Sequence, residues 1–298
     1  MNSVPSRSRV AIWVVALLGI TAIGAVWTVA RASTAADATI ASPTAAADPT
    51  TIMFLGDSIT GSPGCWRADV WIALTDAGHA VEMVGTRTAD ECGGVTNAAG
   101  ELWDPDNLAI GGITAVRMNN KLALEGVLEE LDPAVVVALI GTNDVRGGAS
   151  ADEVFAQYDL LLSQLRDHHP NITLVIGRML PIGPTDCPSC QPVVDEINAR
   201  LGEWAAAHGT GASPIFVAQT DAGFDVVADT YDQLHPNESG RAKVADAMGA
   251  AIVEAIDMQD TGIGSLPRWV FAASLGPLLV TVAGVLIYFR RIRSALED

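Results

Sequence analysis

The sequence predicts a three-layer α/β fold built on a parallel sheet of five strands. Short apolar runs alternate along the chain with longer segments whose apolar residues recur at helical spacing. That alternation is typical of a parallel sheet covered by helices on both faces. Residues 134–140 are continuously apolar, which is what a central strand buried on both faces requires.

The boundaries of the predicted elements follow from local patterns. Strands are predicted at residues 51–55, 81–84, 134–140, 172–177 and 214–218. Helices are predicted at residues 66–77, 114–131, 150–168, 193–208 and 239–256. Gly78 ends the first helix, and Ser150 with Glu153 forms a capping-box sequence that starts the third. Residues 85–107 show no periodicity, and a connection of that length is typical of a functional loop.

A candidate nucleophile, Ser58, directly follows the first predicted strand. This position is the carboxyl edge of the sheet, where open α/β folds collect catalytic groups. Far downstream, Asp232 and His235 can supply a base and the carboxylate that orients it. Asn143 follows the third predicted strand. If the strand order is flavodoxin-like, the first and third strands are neighbours, and Ser58 and Asn143 face one crevice.

Two charge-free apolar runs lie near the ends of the chain, at residues 10–30 and 269–289. At about 1.5 Å per residue each run spans roughly 31 Å, the thickness of a bilayer core, so both are predicted to be transmembrane helices. The first run can equally be a signal peptide cleaved after Ala30-Arg31-Ala32. The flanking arginines place both ends in the cytoplasm and the segment between them outside it. These arginines are Arg7, Arg9, Arg290, Arg291 and Arg293.

The predicted domain organisation combines these segments and places the central domain on the extracytoplasmic side of a cell membrane. Its parts are a signal peptide or signal-anchor helix at 1–32, a disordered linker at 33–50, the α/β domain at 51–257, a linker at 258–268, a transmembrane helix at 269–289 and a cytoplasmic tail at 290–298. The first linker is rich in Ala, Thr, Asp and Pro and cannot bury enough apolar surface to fold. The lipid bilayer is therefore an expected partner.

Four cysteines, Cys65, Cys92, Cys187 and Cys190, lie in the segment predicted to be outside the cytoplasm, where disulfides persist. Four cysteines allow three pairings, and Cys65–Cys92 with Cys187–Cys190 is the favoured one. The alternatives are a zinc site formed by all four cysteines, or a redox-active Cys-x-x-Cys pair. The net charge of −18 argues against a nucleic-acid partner, and no motif indicates a metal or cofactor.

Four motifs, in this order, resemble the SGNH, or GDSL-type, hydrolase superfamily. They are Gly56-Asp57-Ser58-Ile59-Thr60, Gly111-Gly112-Ile113-Thr114, Gly141-Thr142-Asn143-Asp144 and Asp232-Gln233-Leu234-His235-Pro236. The resemblance implies catalysis by Ser58, His235 and Asp232. It also implies an oxyanion hole formed by the backbone N–H groups of Ser58 and Gly112 and the side-chain amide of Asn143, with Gly111 as the alternative to Gly112. Asp57 and Asp144 are interpreted as carboxylates that brace their loops.

Further segments are similar to secreted bacterial enzymes of the carbohydrate esterase family 3, or acetyl xylan esterase, type. These segments are residues 61–67, 92–94, 186–190 and 234–240. This similarity implies removal of acetyl groups from sugar hydroxyls, typically on xylan. Residues 107–110 depart from the pattern, because they are mainly apolar where many such enzymes carry His and Glu or Gly.

The resulting functional hypothesis is a membrane-tethered, extracytoplasmic serine esterase that removes O-acyl groups, chiefly O-acetyl, from glycans. One alternative is a GDSL lipase or thioesterase acting on longer acyl chains, for which residues 108–110 and Ile113 can supply part of an apolar cleft. The other is a catalytically silent binding domain.

Overall fold

The computed structural model describes residues 48–61, 65–88, 92–120 and 123–260. The strands of this part are β1 Thr50–Gly56, β2 Val81–Met83, β3 Leu108–Ala109, β4 Val135–Leu139, β5 Thr173–Gly177 and β6 Ile215–Ala218. Its helices are α1 Ser58–Gly61, α2 Trp66–Asp76, α3 Ala115–Asn119, α4 Ala123–Leu131, α5 Thr142–Arg146, α6 Ala151–His168, α7 Gln191–His208 and α8 Glu238–Asp260.

The strands form one parallel sheet in the order β2-β1-β4-β5-β6, with the short β3 paired to β1. The strands that the sequence predicts as first and third, β1 and β4, are therefore neighbours. Their register pairs Met53 with Val136 and Gly56 with Leu139. Because both strands run in the same direction, the chain leaves them at the same edge of the sheet.

The side chains of successive residues in the central strands pack alternately into two separate cores, one on each face of the sheet. Met53 and Val136 pack in one core together with residues of α3, α6 and α7. Phe54 and Val137 pack in the other core together with residues of α2 and α8. This alternation is the period of two that a strand imposes on its side chains. The α/β fold with a three-layer arrangement and a parallel sheet is therefore as the sequence predicts.

Two details of the sheet and helices differ from the sequence prediction. The described sheet has six strands and not five, because Leu108 and Ala109 pair with the last two residues of β1. A strand of two residues is too short to give an alternating pattern. The single helix predicted over residues 114–131 is two helices, α3 and α4.

The predicted transmembrane helices are corrected. In the part of the chain that the structure describes, no helix is long and apolar enough to cross a membrane. The longest, α8, has 23 residues, but charged side chains such as Lys243, Asp246 and Glu254 recur along it. The runs at 10–30 and 269–289 that gave rise to the prediction lie outside the described residues. The fold class is thus the α/β domain, without membrane-spanning helices, for the described residues.

Candidate active site

Ser58 begins the short helix α1 immediately after β1. Gly56 has no room for a side chain, since a Cβ atom there would lie 2.5 Å from the carbonyl oxygen of Leu139. Asp57 is buried, and its Oδ1 accepts a hydrogen bond of 2.9 Å from the Ile59 N–H. The tight exit from β1 and this carboxylate cap fix the start of α1. Ser58 is consequently held half-buried at the carboxyl edge of the sheet.

The structure brings Ser58, His235 and Asp232 together in one hydrogen-bonded chain. Ser58 Oγ lies 2.9 Å from His235 Nε2, and Asp232 Oδ2 lies 2.7 Å from His235 Nδ1. The second carboxylate oxygen, Asp232 Oδ1, accepts the backbone N–H groups of Leu234 and His235 at 3.1 and 2.7 Å. One carboxylate thus orients both the imidazole and the loop that carries it.

Asp232 is held in its charged form by these contacts. Partial burial raises its pKa, but the hydrogen bonds from the backbone and ring of His235 and from the backbone of Leu234 outweigh burial, so the pKa lies below its ordinary value. A carboxylate that stays ionised at neutral pH can stabilise a protonated imidazole beside it. The arrangement therefore suits proton transfer between Ser58 Oγ and His235 Nε2.

Asn143 reaches the same place from the neighbouring strand. It is the second residue of α5, which follows Gly141, a glycine with a φ of +115° that closes the turn after β4. The Asn143 Nδ2 group donates to the carbonyl oxygen of Ile113 at 3.1 Å and to Asp57 Oδ2 at 3.2 Å. The side-chain amide of Asn143 therefore lies beside the residue that precedes Ser58.

A turn at residues 110–113 also lies next to Ser58. The Ile113 N–H donates to the Ile110 carbonyl oxygen at 3.1 Å, and Gly112 takes a φ of +70°, which favours glycine. A Cβ atom on Gly111 would lie 4.0 Å from Ser58 Cβ. Both glycines are exposed, so their backbone is open to solvent next to the serine.

Asp57 and Asp144 brace the loops that surround Ser58. Asp144 Oδ2 accepts the N–H of Ala115 at 2.7 Å and so holds the start of α3 against α5. Burial raises the pKa of Asp144 despite this hydrogen bond. Burial also raises the pKa of Asp57 to about 6, against the opposing effects of the Ile59 N–H and the nearby His235. Keeping Asp57 charged at neutral pH thus costs the fold free energy.

Two disulfides lie next to these segments. Cys65 is bonded to Cys92, and Cys187 to Cys190, which is the pairing that the sequence favours. No free cysteine remains among the described residues, so neither a four-cysteine zinc site nor a reduced Cys-x-x-Cys pair is present in this structure. The first disulfide joins the segment after α1 to the long loop at 92–107.

Arg67 is a site-supporting residue that sequence reasoning missed. Its side chain is buried, and its Nε donates to the Thr60 carbonyl oxygen at 2.7 Å. Its Nη1 donates to the Pro105 carbonyl oxygen at 3.1 Å. A buried guanidinium needs such acceptors, and here they tie α1 to the long loop. Its place in the segment 61–67, two residues after Cys65, was the sequence signal that could have found it.

The match to a known family covers most of the α/β domain. The family model for GDSL-like lipases and acylhydrolases matches residues 54–243. This chain belongs to that family. Membership makes it a carboxylic ester hydrolase, and the serine at the end of β1 lies within the matched residues. No curated protein matches the sequence.

Solved structures of similar fold include carbohydrate esterases. A mutant acetyl esterase with an acetate ion and a carbohydrate esterase family 3 protein from Talaromyces cellulolyticus are each 26% identical, with a TM-score of 0.63, covering 71% of this chain and 99% of theirs. A family 3 carbohydrate esterase from Clostridium thermocellum is 22% identical, with a TM-score of 0.56, covering 70% and 98%. The predicted SGNH and carbohydrate esterase family 3 resemblance is confirmed by these matches.

The raised pKa of Asp57 gives a test of the electrostatics around Ser58. The folded state holds the Asp57 proton more tightly than the unfolded chain, because the pKa of Asp57 is raised from 3.8 to about 6. The free energy of unfolding that Asp57 contributes therefore falls as the pH rises between these two pKa values. Asp57→Asn removes the titration. We expect its free energy of unfolding, relative to wild type, to increase by about 2 kcal/mol between about pH 4 and pH 7.

The measurement is urea unfolding of both proteins across this pH range, followed by tryptophan fluorescence. A difference between the two proteins that does not change with pH would contradict the raised pKa.

Proposed function

We propose that this chain removes O-acetyl groups from carbohydrate hydroxyls, with Ser58 as nucleophile, His235 as general base and acid, and Asp232 as the orienting carboxylate. The observation that carries the mechanism is the unbroken hydrogen-bond chain from Ser58 Oγ through the imidazole to the carboxylate, with distances of 2.9 and 2.7 Å. A serine hydroxyl is a weak nucleophile until a base contacts it directly.

In the first half of the reaction, Ser58 Oγ attacks the acetyl carbonyl carbon while His235 Nε2 takes the hydroxyl proton. The C–O bond to the sugar then breaks, and the imidazolium returns the proton to the leaving sugar oxygen. In the second half, His235 takes a proton from water, and the water oxygen attacks the acetyl-serine. The C–O bond to Ser58 Oγ then breaks, and the imidazolium returns its proton to that oxygen. Acetic acid leaves and ionises to acetate. Asp232 stabilises the imidazolium in both halves.

The negative oxygen formed at each attack needs hydrogen-bond donors. We assign this role to the backbone N–H of Ser58, the backbone N–H of Gly112 and the Nδ2 group of Asn143. The Ser58 N–H is at the start of a helix, where backbone donors have no partner within the helix. The Asn143 Nδ2 group donates to the Ile113 carbonyl oxygen at 3.1 Å and to Asp57 Oδ2 at 3.2 Å. An amide has two N–H donors, so one of these hydrogen bonds gives way when the oxyanion accepts from Asn143.

The proposal of an acetyl group on a sugar is supported by the solved structures at 26% identity, which are described as an acetyl esterase and a carbohydrate esterase. The burial of the apolar residues that could have lined a lipase-like cleft argues against substrates with longer acyl chains. Leu108, Ala109 and Ile113 are buried in the core, and Ile110 is partly buried against it. These side chains are therefore not available to line an open apolar cleft beside Ser58.

A chain-length panel tests the proposal. We expect wild-type protein to cleave 4-nitrophenyl acetate with a higher kcat/KM than the octanoate, and to release acetate from O-acetylated xylan oligosaccharides. A roomy apolar pocket would instead gain about 0.8 kcal/mol, or roughly fourfold, for each added methylene. The matched control is Ser58→Ala, which should retain its circular dichroism spectrum and thermal midpoint.

Two outcomes of this panel would contradict different parts of the proposal. A tenfold or greater preference for octanoate would exclude the acetyl assignment. More than about a hundredth of wild-type activity in folded Ser58→Ala would exclude the serine mechanism, because the remaining groups supply far less than that in serine hydrolases.

We also propose that the domain functions outside the cytoplasm. Both disulfides of the described residues support this location, because thiols in reducing compartments are kept free. We expect that protein isolated from its native cells, with thiols alkylated at lysis, shows none of its 4 cysteines alkylated in its mass spectrum. Alkylation of all of them would contradict the location.

A further inference from the structure

Arg146, the last residue of α5, contacts two side chains at once. Its Nη1 donates to Asn143 Oδ1 at 3.2 Å. Its Nε and Nη2 donate to the two carboxylate oxygens of Asp186 at 2.6 and 2.9 Å. The second contact is a two-pronged pairing of guanidinium with carboxylate, which fixes the plane of the guanidinium as well as its position. The arginine therefore presents one N–H to Asn143 in a defined direction.

Asp186 is itself held by a short closed loop, residues 183–190. The N–H groups of Asp186 and Cys187 both donate to the Gly183 carbonyl oxygen, at 3.1 and 3.0 Å. The Cys187–Cys190 disulfide closes a ring of four residues directly after Asp186, at the start of α7, and Cys190 is buried. A carboxylate on such a loop loses little further freedom when it pairs with an arginine, so the pair is better ordered than most exposed ion pairs.

The same loop contacts the segment that carries the triad histidine. The Gly183 N–H donates to the Gln233 carbonyl oxygen at 2.8 Å, and the Thr185 N–H donates to Gln233 Oε1 at 3.3 Å. Gln233 lies between Asp232 and His235 and has a φ of +69°, which is uncommon for a residue with a side chain. The loop thus lies between the two halves of the site and contacts both.

The orientation of the Asn143 amide depends on which partners surround it. An asparagine amide has a donor end and an acceptor end of nearly equal size, so only its hydrogen bonds decide which end faces where. The Nδ2 end faces two acceptors, the Ile113 carbonyl oxygen and Asp57 Oδ2. The Oδ1 end faces Arg146, which can only donate. A rotated amide would lose all three hydrogen bonds and place like partial charges together.

We propose that Arg146, fixed by Asp186 next to the Cys187–Cys190 disulfide, is a positioning residue that keeps the donor end of Asn143 directed towards the oxyanion. The inference rests on the proposed role of Asn143. Among the described residues, Arg146 makes no hydrogen bond or ion pair with Ser58 or His235, so it acts through the amide of Asn143. Its effect therefore falls on the transition state, where the oxyanion exists, and leaves ground-state substrate binding nearly unchanged.

The test is a double-substitution cycle on 4-nitrophenyl acetate hydrolysis. We expect Arg146→Met to lower kcat about tenfold with KM changed less than twofold, and Asp186→Asn, which loosens the arginine, to lower kcat several-fold. In an Asn143→Ala background, where no amide remains to be oriented, Arg146→Met should lower kcat less than twofold further. Arg146→Lys keeps the charge but not the two-pronged pairing, and we expect an intermediate kcat.

Arg200 provides the matched control. It is also an exposed arginine paired with carboxylates, with its Nη2 2.7 Å from Asp152 and its Nη1 2.7 Å from Glu196. Arg200→Met removes the pair with Asp152 of α6 and the pair with Glu196 of α7, and it should leave both kcat and KM unchanged. The thermal midpoint of each variant shows whether a lower kcat comes from loss of folding or from loss of positioning. If Arg146→Met is unstable, the kcat of folded Asp186→Asn tests the same role of Arg146.

Three results would overturn the inference. They are wild-type kcat in folded Arg146→Met, a change confined to KM, and an equal loss of kcat with and without Asn143. The failure of the proposed function has a different signature, namely an active Ser58→Ala protein. If Ser58→Ala is inactive and Arg146→Met is fully active, the serine mechanism is supported and only the positioning role of Arg146 is contradicted.

Discussion

The parallel pairing of β1 with β4 is the constraint on which the site depends. The register places Gly56 opposite Leu139, so the chain leaves both strands at the same level of the same edge. Asp57 and Ser58 follow one strand, and Gly141 to Asn143 follow the other. The hydrogen bond of 3.2 Å between Asn143 Nδ2 and Asp57 Oδ2 is a direct consequence of this register. A shift of one strand by one residue would separate the groups and turn their side chains to opposite faces.

The remaining parts of the site come from distant segments and need separate attachment. His235 lies 177 residues after Ser58. Its loop is held by an antiparallel β-bridge between Thr230 and Pro236. It is also held by a hydrogen bond from the Tyr231 N–H to the His235 carbonyl oxygen. The Cys65–Cys92 and Cys187–Cys190 disulfides add covalent links in the segments that follow α1 and precede α7. Such cross-links limit the freedom of loops that have few apolar contacts of their own. The site thus combines groups fixed by the sheet with loops fixed by hydrogen bonds and disulfides.

Much of this fold could be predicted from the sequence, because its central strands are apolar and its turns carry distinctive residues. The capping box at Ser150 and Glu153 is present, and all five predicted strands exist. The positions of Ser58, Asp232 and His235 could be proposed because each lies in a short motif with a chemical reason. The two-residue β3 could not, since pairing of Leu108 and Ala109 is decided by the neighbouring β1 and not by a local pattern.

The residues that support the site, Arg146, Asp186 and Arg67, could not be identified from local sequence patterns for the same physical reason. Arg146 and Asp186 are 40 residues apart, and Arg67 donates to carbonyl oxygens of α1 and of the long loop. The contacts that define their roles therefore join segments that are distant in sequence. The prediction of membrane-spanning helices at 10–30 and 269–289 is contradicted, because no helix of the described residues is long and apolar enough to cross a membrane. Length and composition identify apolar segments, whereas polar contacts between distant segments need the folded structure.

The central claim is that Ser58 is the nucleophile of an ester hydrolase, activated by His235. The most direct measurement is covalent labelling with a serine-directed fluorophosphonate, followed by intact-mass and peptide mass spectrometry. We expect one adduct per chain, located on Ser58, which forms more slowly by at least about a hundredfold when His235 is replaced by alanine. An adduct on another residue, or an unlabelled protein that still cleaves the ester, would contradict the claim.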